Sequence, residues 1–94
     1  MTFKEAADRL PTTLDRYRRA IRIHLKPKLG DVPLQRLLPK MFDDLYRQQL
    51  EKLSPASVLK NHLIARAALD RVVRWGWLDR NPADRAEAPK LRRT

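Results

Sequence analysis

The chain has 94 residues, with 21 Lys and Arg against 11 Asp and Glu, a formal charge of +10, and 43% hydrophobic residues. That length holds one small core and no independent second domain, and the lack of cysteine excludes disulfides and thiolate metal sites. No apolar run approaches the roughly 20 residues of a membrane span, and the N-terminus has no signal-peptide core, so the expectation is a cytoplasmic protein with no membrane partner.

The sequence Thr2-Phe3-Lys4-Glu5 has the form of a capping box and predicts a short helix to about Leu10, with Phe3, Ala6, Ala7 and Leu10 on one face. Pro11 ends it, and Thr12 or Thr13 is expected to cap the next helix, 13–25. There Leu14, Tyr17, Ile21 and Leu25 share a side, while Arg16, Arg19 and Arg22 project from the other, with Lys26 and Lys28 just beyond. Any such run can be a solvated face, but solvated helices interleave Glu with Arg, and Asp15 is the only acid in this one. Clustered arginines repel one another and point to a polyanion that supplies the missing charge.

Pro27, Gly30 and Pro33 predict an extended connection whose Leu29, Val32, Leu34 and Leu37 tuck under the helices. Pro39 opens a third helix, 39–52, buried through Met41, Phe42, Leu45, Leu50 and Leu53, with Arg47, Gln48, Gln49, Glu51 and Lys52 outside. The longest helix is predicted to start at Ser54, a natural N-cap, with Pro55 at its first position. Val58, His62, Ala65, Leu69 and Val72 make its apolar stripe, and Ser57, Lys60 and Asn61 are expected to face out. Gly76 offers a left-handed helix end, Trp77 and Leu78 fold back on the last turn, and Asn81-Pro82 blocks continuation. Asn81 caps a final turn to about Glu87, followed by a basic end. Nothing alternates at period two, so the fold class is all-α, a small bundle of four to five helices.

Convergent chemistry is missing from this pattern. His24 and His62 lack partners at metal-ligand spacing, and His62 on the apolar stripe reads as a packed histidine. Gly30 and Gly76 make no phosphate loop, Ser54 and Ser57 have no activating base at recognisable spacing, and Asp43-Asp44 point apart on a helix. The expectation is therefore no catalytic residue, no metal and no cofactor.

Several pieces occur in a familiar order: Thr13 with Arg16-Tyr17-Arg18, Ile21, the run HLKPKLGDVPLQRL at 24–37, LSPASV at 53–58, then AAL, VVRWG and RNPA ending at Ala83. The chain resembles the SAM-like core-binding domain of phage-type integrases in the tyrosine recombinase family, over about 12–89. The resemblance implies a helical bundle that grips duplex recombination-site DNA as half of a clamp. The other half, a C-terminal catalytic domain with an arginine, a His-x-x-Arg pair and a nucleophilic tyrosine, is the implied partner in the parent chain. His62 is followed by Leu63-Ile64-Ala65-Arg66, one residue too many for that pair, so the isolated domain is expected not to be an enzyme. On this reading 1–89 is the DNA-binding domain, a monomer in isolation, and 90–94 begins the basic linker. Carrying over the family's contacts by position gives Thr12, Thr13, Arg16 and Arg19 from one helix and Ser57, Lys60 and Asn61 from another, with Arg16 and Asn61 the candidates for base readout. The sequence departs from the family at its short first helix and at Leu38, where a threonine cap is common.

Two other classes stay open. A helical protein-interaction module would dock a partner through Trp77 and the arginine-rich faces. An RNA-binding helical domain is disfavoured by only six aromatic residues, most at core positions.

Overall fold

The computed structural model describes residues 1–86, and the expected end of the last turn at Glu87, the domain boundary at 89 and the basic stretch 90–94 lie outside the described residues. Helix α1 (Phe3–Asp8) starts at the predicted capping box: Glu5 N–H donates to Thr2 Oγ1 at 3.3 Å, and Thr2 N–H donates to Glu5 Oε1 at 3.1 Å. So short a helix cannot stand alone. It is held by the connection that follows the second helical segment: Phe3 N–H donates to the Val32 carbonyl, Lys4 N–H to that of Gly30, and Leu34 N–H to that of Met1. An ion pair between Lys4 and Asp31 at 2.7 Å reinforces the same seam, each raising or lowering the other's pKa in the direction that keeps both charged.

The second segment differs from its prediction at both ends. It opens with a 3₁₀ turn (Thr12–Leu14) before α2 (Asp15–Ala20), and the residues at the two N-cap positions are Pro11 and Leu14, so neither threonine caps a helix. It then passes through a π turn (Ile21–Leu25) into α3 (Lys26–Leu29), where an extended chain was expected from Pro27. Proline lacks an N–H and its ring crowds the carbonyl four residues back, which normally ends an α-helix. The wider turn, with Lys26 N–H reaching the Ile21 carbonyl, moves the backbone aside and lets the helix continue. Gly30 closes α3 where a side chain would not fit: a Cβ there would lie 2.6 Å from the Lys26 carbonyl oxygen.

After a 3₁₀ turn (Leu34–Arg36), α4 (Pro39–Gln49) begins at Leu38 without a side-chain cap, and buries Phe42, Leu45 and Tyr46. Leu50, expected inside, is 42% exposed: as the C-cap of α4 it keeps helical backbone, with its N–H on the Tyr46 carbonyl, but stands past the last buried residue of that face. Helix α5 (Pro55–Arg74) is the centre of the bundle, packing on α2, the π turn, α4 and the last 3₁₀ turn (Pro82–Arg85). All five stripe residues are buried, among Phe3, Ile21, Leu25, Phe42 and Tyr46. Ser54 Oγ accepts from Ser57 N–H at 3.2 Å at one end. At the other, the Gly76 N–H donates to the Val73 carbonyl, and φ +83° at Gly76 turns the chain so that the Trp77 N–H reaches Val72, closing the helix. Asn81 Oδ1 caps the last turn through Ala83 N–H, and its Nδ2 ties that turn to the Arg66 carbonyl and Asp70 on α5. The described residues contain helices and turns, with one isolated antiparallel bridge between Thr2 and Pro33. No helix among them is long and apolar enough to cross a membrane.

Candidate nucleic-acid interface

The outer face of α2 and the N-terminal half of α5 run along opposite sides of an open groove of about 750 Å³. Arg16 and Arg19 come from the first wall, and Ser57, Lys60 and Asn61 from the second, so five of the seven residues nominated from the sequence share one concavity. Thr12 and Thr13 do not line it; they are exposed in the 3₁₀ turn at the start of the first wall, one helical turn from Arg16.

The charge on the two walls is unevenly matched. Arg19 meets Asp15 at 3.7 Å, but both side chains are 67% exposed, and a pair so open to water is weak and readily exchanged. No ion pair engages Arg16 or Lys60 among the described residues. At the start of α5, Pro55 has no N–H and the Ser57 N–H is taken by Ser54 Oγ. That end acts on an anion chiefly through the helix dipole and Lys60, with few free amides. The Ser57 hydroxyl accepts from Ser54 Oγ–H at 3.1 Å and keeps its own proton to donate.

Asn61 departs from the outward orientation expected of it. It is 5% exposed, and its Nδ2 donates to Gln49 Oε1 at 3.3 Å, so it forms part of the groove floor. His62, beside it, faces the core as predicted, with Nδ1 3.1 Å from the Tyr46 hydroxyl and its ring edge-on to that tyrosine. Among the described residues no group of His, Asp and Glu could hold a metal ion.

No family model matches the chain. An integrase from Saccharopolyspora erythraea is 34% identical to it over 82 residues, which cover 84% of this chain and 19% of that protein. The solution NMR structure of a phage integrase SAM-like domain from Moorella thermoacetica superposes with a TM-score of 0.75 at 33% identity, over 83% of this chain and 68% of that one. The chain belongs to the phage integrase SAM-like domain family. Its all-α fold is the SAM-like integrase fold, and the chain spans about one fifth of the integrase it matches.

Seven further residues line the groove of this integrase domain without having been nominated from the sequence, Tyr17, Ile23 and His24 among them. Ile23 is 58% exposed, lying two residues from both Ile21 and Leu25 and so on the opposite side of the turn from them. Its one signal in the sequence is negative, an isoleucine that fits no place on the Leu14, Tyr17, Ile21, Leu25 stripe. The aromatic surface also lies elsewhere than expected: Trp77 is half-buried under Arg9, 5.8 Å from its ring, and Trp75 is the exposed partner of the pair.

Proposed function

We propose that this integrase domain binds duplex recombination-site DNA through the groove between α2 and α5, and that it serves as one half of a clamp in a longer tyrosine recombinase. The observation that carries the proposal is the convergence of Arg16, Arg19 and Lys60 on one groove, in a chain of formal charge +10. Cations from two helices suit the regularly spaced phosphates of a duplex backbone. Ser57 and the two threonines extend the polar rim for further backbone contacts, and Arg16 is long enough to reach a base edge. Asn61, with one amide hydrogen bond already made, reads a base from the groove floor only if the duplex enters deeply. Residues 1–89 form the DNA-binding unit in this reading, monomeric by itself, and 90–94 lead toward a catalytic domain that supplies the strand-transfer chemistry.

Binding of a duplex carrying a recombination site is the test, measured by fluorescence anisotropy over a salt series. Each phosphate contact removed should lower the log-log salt slope by about 0.9. Arg16→Ala with Arg19→Ala should therefore weaken binding and reduce the slope by roughly 0.9 if Arg16 reads a base and by roughly 1.8 if both arginines meet phosphates. An unchanged slope would remove this face from the interface. A protein-docking role has one observation in its favour, the Trp75, Trp77 and Arg9 cluster outside the groove. It would be supported by partner binding that survives nuclease treatment while duplex affinity stays negligible.

A further inference from the structure

A neutral side chain from a third helix ties the two walls of the groove together. Gln49, at the last position of α4, donates from Nε2 to the His24 carbonyl at 2.9 Å and accepts at Oε1 from Asn61 Nδ2 at 3.3 Å. His24 lies in the π turn that continues α2, and Asn61 lies on α5. The bond therefore reaches the first wall at the place where its helical geometry is irregular. Elsewhere the π turn meets α5 through buried apolar groups such as Ile21, Leu25 and Val58, whose contacts are close-packed but non-directional. Two oriented hydrogen bonds through one amide add a directional constraint to that packing. Only an amide does this: a carboxylate at the same reach accepts from Asn61 but cannot donate to a carbonyl, and a thioether replaces neither bond well.

We propose that Gln49 is a positioning residue of the nucleic-acid interface, setting the spacing and register of the Arg16 and Arg19 wall against the Ser57 and Lys60 wall without itself touching DNA. Its effect on affinity rests on the duplex-binding reading; the mechanical link does not.

The experiment uses the full chain, isotopically labelled, with Gln49→Met, Asn61→Ala and the double variant. Without DNA, Gln49→Met should shift the backbone amides of 21–28 and the Asn61 side-chain amide together. Shifts confined to the neighbours of Gln49 on α4 would overturn the link. With duplex, Gln49→Met should bind about three- to ten-fold more weakly while fully folded at the assay temperature, the scale of one or two net hydrogen bonds. In the Asn61→Ala background the same change should add less than about twofold, because the two residues act through one bond. Wild-type affinity in folded Gln49→Met would assign it a purely structural role, and independent losses that multiply would overturn positioning through Asn61. If the wild-type chain binds no duplex, the duplex-binding reading fails, and the amide shifts alone decide whether Gln49 joins the walls. Gln49→Ala gives the same comparisons if the thioether is not accommodated.

Discussion

His62 holds an imidazole inside the core, against the Tyr46 hydroxyl, and burial pushes its pKa below the usual histidine value. Arg66 adds to that shift, while Asp84 and Asp43 oppose it. The folded chain thus resists protonation that the unfolded chain accepts near pH 6.5. Stability is full above that pH and is lost as pH falls through the folded-state value. Urea midpoints measured from pH 7 to 5 should decline in the wild type, and His62→Gln should remove part of the decline; an identical profile in the variant would contradict the account. Asn61 shows where reading by residue type fails. It stands three residues after Val58 and four before Ala65, so helical spacing alone places it on the inner face, but its polarity suggested the outer one. Burial is tolerable because Gln49 meets its amide, and no local spacing in the chain announces a partner twelve positions away.

At the scale of elements, the features legible in the sequence are those whose partners are close in the chain. The Thr2 capping box, the Ser54 cap, the Gly76 helix end and the Asn81 cap all close rings of a few residues, and all form. Ser54→Ala should cost about 1 kcal/mol through the lost cap. Leu69→Ala, in the middle of the α5 stripe, should cost roughly 2 to 5 kcal/mol. Both are read as changes in the urea midpoint at constant slope, and wild-type stability in Leu69→Ala would mean that the wrong face of α5 is inside. The π turn was not legible for the opposite reason. Pro27 signals a helix break locally, and the helix survives it through a widened turn whose His24 carbonyl is met by Gln49, a residue 25 positions further on. Thr12 and Thr13 are good capping residues in isolation, yet Pro11 leads into a tight 3₁₀ turn that places Leu14 at the start of α2.

For the molecule as a whole, charge and helix packing point to the same place. The helices whose outer residues were nominated from the sequence are those that the bundle sets side by side, with Arg16, Arg19 and Lys60 facing a shared groove. Most of this was readable because family pattern and amphipathic period agree on which faces lie outside; the part of the groove lined by Ile23 and His24 was not, since both lie in the π turn. The aromatic pair Trp75 and Trp77 lies outside this groove and provides a control surface on the same molecule. The most direct measurement is the change in amide NMR shifts of the labelled chain on adding a short duplex at two salt concentrations. Salt-sensitive shifts should concentrate in 12–24 and 54–64, with the Trp75, Trp77 and Arg9 cluster unmoved. Shifts centred on that cluster, or none at low salt, would contradict duplex binding at the groove.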